Sequence, residues 1–145
     1  MTANKLLKSK FRSKINSMRN KHHLLIALTV FNAVCATGGG IALMLGSINQ
    51  PVWIAHTGFD SLYFPGVILF AVVGGSATIA TIATIKKVAA WQLATLTSAV
   101  IMLVWIVGEI VSIRQVHWLQ AVFAITALSI IYLTRNGGVN GKRKV

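Results

Sequence analysis

Pro65 to Lys87 reads PGVILFAVVGGSATIATIATIKK. Residues 65–85 carry no charge, and two lysines end the run. A helix needs about 20 apolar residues to cross a hydrocarbon core of about 30 Å, and this stretch meets that length. Ala71, Gly74, Gly75, Thr78 and Thr81 recur along it. Lipid gives apolar side chains no reason to prefer one another, so small residues mark where helix backbones approach. The stretch predicts a membrane span packed against a neighbouring helix.

Three further runs lie on either side of it. Leu24 to Ile48 is uncharged, Val88 to Ile113 is interrupted only by Glu109, and Val116 to Thr134 is wetter at its start, at His117 and Gln120. The first run continues well past the about 15 residues of a signal-peptide core, so it reads as an uncleaved anchor. Small residues again form stripes: Thr29, Asn32, Ala36, Gly39 and Gly40 in the first, Ala94, Ser98 and Gly108 in the third, Ala121, Ala124 and Ala127 in the fourth. A bulky residue at Gly39 is expected to destabilise the packing. Trp53, Trp91 and Trp118 fit an aromatic interface belt, while Trp105 falls inside the third run. The predicted fold is an all-α membrane protein, an antiparallel four-helix transmembrane bundle over residues 24–134, with spans at about 24–48, 65–85, 88–113 and 116–134.

Composition agrees. The chain has 145 residues, 55% apolar and only 11% charged, where a soluble domain carries about a quarter charged. The net charge of +12 could suit nucleic acid, but the charges fall in short runs between apolar stretches, so nucleic acid is excluded as a partner. The basic runs fix orientation instead. Lys5, Lys8, Lys10, Arg12, Lys14, Arg19 and Lys21 precede the first span, Lys86 and Lys87 follow the second, and Arg135, Lys142, Arg143 and Lys144 follow the fourth. Four spans put all of these on one side, leaving Arg114 opposite with both acids, Asp60 and Glu109. The expectation is a multi-pass protein of a bacterial plasma membrane with both termini cytoplasmic.

The tails and one loop carry further expectations. In residues 1–23, Leu7, Phe11, Ile15 and Met18 recur at three- or four-residue steps with Lys and Arg on the other face. That pattern predicts an amphipathic interfacial helix whose seven basic residues contact anionic lipid headgroups; the competing reading is a disordered topology anchor. Residues 135–145, with Gly137, Gly138 and Gly141, read as a flexible basic tail. The outer loop Asn49 to Phe64 is long and apolar, and is expected to lie along the membrane surface or over the mouth of the bundle.

Candidate chemistry gathers on the outer side. An ionisable residue within a span is costly and is a functional candidate by default; Glu109 is the one here, with Arg114 and His117 near enough in sequence to pair with it. A structural role for Glu109 outweighs a proton-coupled one because it lies near the span's end. His56, Asp60, Glu109 and His117 are metal-ligating types, yet they lack the spacing of a metal motif, and whether they hold a metal is left open. Cys35 is the only cysteine, so it forms no internal disulfide and packs as a small apolar residue. The histidines lie at span ends, which argues against a transmembrane haem. Gly38-Gly39-Gly40 and Gly74-Gly75-Ser76 sit in apolar spans without a lysine, unlike phosphate loops. No cofactor is implied.

Two segments carry a resemblance. Phe59-Asp60-Ser61-Leu62-Tyr63-Phe64-Pro65-Gly66-Val67-Ile68-Leu69-Phe70 with Gly74-Gly75-Ser76 is one, and Val104-Trp105-Ile106-Val107-Gly108-Glu109-Ile110 with His117-Trp118-Leu119-Gln120 is the other. Together they resemble a widespread group of small bacterial four-span membrane proteins of uncharacterised function. Relatives often have proline after the Trp-Leu-Gln run, where this chain has Ala121. The resemblance implies a four-span unit and nothing catalytic. Three readings of function stand: a non-enzymatic bundle or accessory membrane subunit, which comes first; a small oligomeric transporter or channel with Glu109 as its proton-sensitive group; and a membrane enzyme with an outer-face metal site. The partners they imply are the lipid bilayer, a second copy of the chain, or another membrane protein.

Overall fold

The computed structural model describes residues 2–47, 58 and 60–138. They form α1 (Thr2–Met44), α2 (Tyr63–Ile68), a π-helical segment (Leu69–Gly74), α3 (Gly75–Lys86), α4 (Trp91–Ile113) and α5 (Trp118–Gly138), and the described residues contain no strand. α2, the π-segment and α3 run end to end as one rod, so four helices are long and apolar enough to cross a membrane. The protein is an all-α, multi-pass bundle, as the apolar runs predict. The end with the Lys86–Lys87 turn is called the basic end below, and the end with Asp60 and Arg114 the acidic end.

Each rod stops where its side chains and backbone dictate. α3 ends at Lys87, which takes a left-handed conformation (φ 50°, ψ 41°), and the amide of Val88 returns to the Ala83 carbonyl at 3.2 Å. α4 ends the same way at Arg114 (φ 55°), whose amide reaches Ile110 O at 2.9 Å. Gly46 (φ 66°) closes the turn after α1. Gln120 opens α5: its Oε1 accepts the His117 amide at 3.0 Å while its own amide bonds His117 O at 3.0 Å. This reciprocal pairing satisfies donors that a helix start leaves orphaned.

Two boundaries depart from expectation. α1 does not begin near residue 24; α-helical structure is continuous from Thr2 to Met44, about 64 Å at 1.5 Å per residue. The basic segment is helical, and it is the same helix as the first span. At the other terminus α5 extends through Arg135 to Gly138, so the start of the expected flexible tail is helical; residues 139–145 lie outside the described residues. Most of the outer loop, residues 48–57 and 59, lies outside them too.

The rods form a ring in which each packs on the next and α5 closes on α1. Between α1 and the second rod the contact is backbone to backbone. A Cβ on Gly40 would fall 2.7 Å from Phe70 N and 2.8 Å from Gly66 O, and one on Gly74 would fall 2.8 Å from Thr37 Oγ1. Gly66 and Gly74 both face α1 although eight residues separate them. An α-helix would rotate them about 80° out of line. The intervening π-segment spends more residues per revolution and keeps both on the α1 side. The closest approach on α1 is at Gly40 and not at Gly39, whose added Cβ would meet only Leu69 Cδ2 at 3.5 Å.

The core is small: Leu25, Ala36, Val73, Ala99, Met102, Ile106, Ala127 and Ile130. Buried hydroxyls bond carbonyls of their own helix, as Thr81 does to Ala77 and Thr134 to Ile130, so they enter hydrocarbon without an unmet donor. Among the described residues, two hydroxyl-bearing pairs tie rods together. Thr84 and Thr95 meet at 3.1 Å between the second and third, and Thr126 Oγ1 donates to Asn32 Oδ1 at 3.0 Å between the fourth and first.

Candidate functional site

The glycines that draw α2 and the π-segment onto α1 leave the second and third rods apart at the acidic end. A cavity of about 450 Å³ lies between them, within the range of small-molecule sites. Ile68 and Val72 form one wall, Val100, Val104, Trp105 and Gly108 the other, and Leu43 of α1 and Val73 close the back. Ile68, Val72 and Val104 are 43%, 49% and 66% exposed, so the cavity opens sideways, away from the bundle axis. It is a lateral groove.

The polar part of its lining sits near the acidic end, where Glu109 and Ser112 line the groove. Ser112 Oγ donates to Gly108 O at 2.7 Å. Glu109 is half-buried, and the Gln120 side chain lies close enough to act on its carboxyl. Gln120 is buried, and its Oε1 is taken by the His117 amide, which leaves the carboxamide nitrogen as the group with donors to offer a carboxylate. His117 is also close enough to act on the Glu109 carboxyl electrostatically. The turn between α4 and α5 thus fixes Gln120 at the start of α5 and sets its side chain beside Glu109.

The other sequence candidates distribute as follows. Arg114 is exposed at the α4 cap, and the groups that act on the Glu109 carboxyl are Gln120 and His117. Asp60 is exposed; among the described residues no three His, Cys, Asp or Glu side chains converge, and His56 lies outside those residues. Lys5, Lys8, Lys10, Arg12, Lys14, Arg19 and Lys21 are all exposed along the first half of α1. At the basic end His22 packs edge-on against Trp91, ring centres 6.2 Å apart.

Sequence reading missed Gln120, Trp105 and Ser112 as site residues. Gln120 had a signal, since a glutamine three residues after a helix-opening position is the spacing of a capping box. Trp105 and Ser112 had none, because their role depends on a gap that exists only in three dimensions. No protein-family model, curated protein or solved structure matched the chain. The resemblance to small bacterial four-span proteins therefore rests on its two motifs alone.

Proposed function

We propose that the protein is a non-enzymatic membrane subunit that holds an amphipathic molecule in the lateral groove, alkyl chain along Trp105 and amine or ammonium head at Glu109. The supporting observation is that one carboxyl, with Ser112 beside it, lies at the end of a mostly apolar groove open to the side. Surrounded by hydrocarbon, such a groove takes up an alkyl chain rather than water. The end residues select the head. A carboxylate accepts hydrogen bonds and attracts a cation, and the low dielectric around it strengthens both. Gln120 lies beside that carboxyl and offers it a hydrogen-bond donor.

Binding of dodecylamine and of dodecanol to the purified protein in maltoside detergent tests this. Glu109→Gln should weaken the amine at least about tenfold, near 1.4 kcal/mol, and leave the alcohol unchanged. Gly108→Leu, a residue with open space beside its Cα, should block both. Equal amine binding by wild type and Glu109→Gln would remove the proposed head site.

For topology we propose that the basic end faces the cytoplasm. Support comes from the basic runs at 5–21, 86–87 and 135–144, set against Arg114, Asp60 and Glu109 at the opposite end. A C-terminal reporter should be active only in its cytoplasmic form; activity only on the far side would reverse the assignment. The half-buried Glu109 beside His117 also favours a second reading, a proton-driven carrier built from several copies. Flux into liposomes that Glu109→Gln abolishes would support it, and flux at the wild-type rate would eliminate it.

A further inference from the structure

Of the α1 residues buried in the bundle, Leu25, Thr29, Asn32, Ala36, Gly40 and Leu43 follow one another at steps of three or four, with Ala33 beside them. Phe11, Met18, Leu25 and Asn32 recur every seven residues, and so do Ile15, His22, Thr29, Ala36 and Leu43. One seam therefore runs from Phe11 to Leu43; the positions seven residues before Phe11 and Ile15 are Asn4 and Lys8. Its second half packs against the other rods. Its first half, Phe11, Ile15 and Met18, has no rod beside it among the described residues, and these side chains are 70%, 51% and 46% exposed. A seven-residue apolar repeat is the signature of a helix that packs against another helix.

Length carries this half-seam beyond the stretch needed to cross the hydrocarbon core. About 20 residues suffice to cross the bilayer, and 24–44 supply them. Residues 2–23 continue the same uninterrupted helix for about 33 Å beyond. To lie on a leaflet the chain would have to break near His22, where the helix is continuous and His22 is packed on Trp91.

Charge identifies the occupant. The positions flanking the seam are Arg12, Lys14, Arg19 and Lys21, and the chain's two acids are far away at Asp60 and Glu109. A second copy would set lysine and arginine against lysine and arginine in either orientation, which flanking charges in paired helices disfavour. We propose that residues 11–22 of α1 are a docking seam for an amphipathic helix of another protein, apolar along its own seven-residue repeat and acidic at the flanking positions.

The test uses the full chain in nanodiscs of zwitterionic lipid and a fluorescent synthetic heptad peptide with leucine in its seam and glutamate at the flanks. Anisotropy should report saturable binding that weakens as salt is raised, and none by the same peptide with lysine at the flanks. Phe11→Ser with Met18→Ser should weaken binding at least tenfold without changing the melting of the bundle, because both side chains are exposed. Hydrogen exchange over residues 11–22 separates the other occupants. No binding of the acidic peptide, with protection appearing in anionic nanodiscs alone, would make the membrane the occupant and overturn the proposal. Protection that rises with protein concentration alone would make it a second copy and overturn it equally.

Discussion

A Cβ on Gly40 would lie 2.7 Å from both Phe70 N and Phe70 Cβ, whereas one on Gly38 would meet nothing within 4 Å. Backbone cannot yield as a flexible side-chain tip can, so Gly40→Ala should destabilise the bundle by about 1–3 kcal/mol. Gly38→Ala should be neutral or stabilising by up to about 1 kcal/mol, since glycine inside a helix is entropically costly. Thermal unfolding in detergent compares them, and equal melting of the two would dissolve the argument for backbone contact at Gly40. The Asn32–Thr126 pair allows a second comparison. A double-mutant cycle with Asn32→Ala and Thr126→Val should give a coupling of about 0.6–1.7 kcal/mol. The stripe of small residues was readable in the sequence. Which of Gly38, Gly39 and Gly40 makes the contact was not, because that depends on the rotational phase of a partner helix whose winding changes at residues 69–74.

At the level of the elements, the spans were legible because lipid imposes one length on every crossing helix, and Lys86–Lys87 and the Arg114 turn punctuate the runs. The π-segment was not legible: Leu69-Phe70-Ala71-Val72-Val73-Gly74 has the composition of ordinary span, and its winding serves the Gly66 and Gly74 contacts with α1. The unbroken α1 did leave a trace, since no glycine or proline occurs before Gly38; the change from basic to apolar composition at residue 24 concealed it. Helix ends offer a test of their own. Lys87 and Arg114 adopt left-handed conformations that favour glycine, at a cost of roughly 1–2 kcal/mol for a residue with a Cβ. Lys87→Gly should therefore raise the melting temperature in detergent. A fall would mean that the lysine side chain contributes more at that turn than its backbone strain removes.

For the molecule as a whole, the two ends do different work. At the basic end one helix extends beyond the other rods, with Phe11, Ile15 and Met18 exposed along it. At the acidic end the second and third rods separate and leave an apolar groove that ends at Glu109 and Ser112. The candidate site was half legible. Glu109 stood out because a carboxyl inside a span is costly, but the groove beside it follows from glycine contacts on the opposite face of the second rod. Those contacts pull α2 toward α1, and the gap to α4 is their consequence. The central claim is that an alkyl chain lies in this groove alongside Trp105, with its head one helical turn away at Glu109. Quenching of tryptophan emission by an alkylamine brominated in mid-chain measures this directly. The account predicts saturable quenching in the wild type that disappears in Trp105→Phe and weakens in Glu109→Gln. Quenching that persists unchanged in Trp105→Phe would place the chain elsewhere and contradict it.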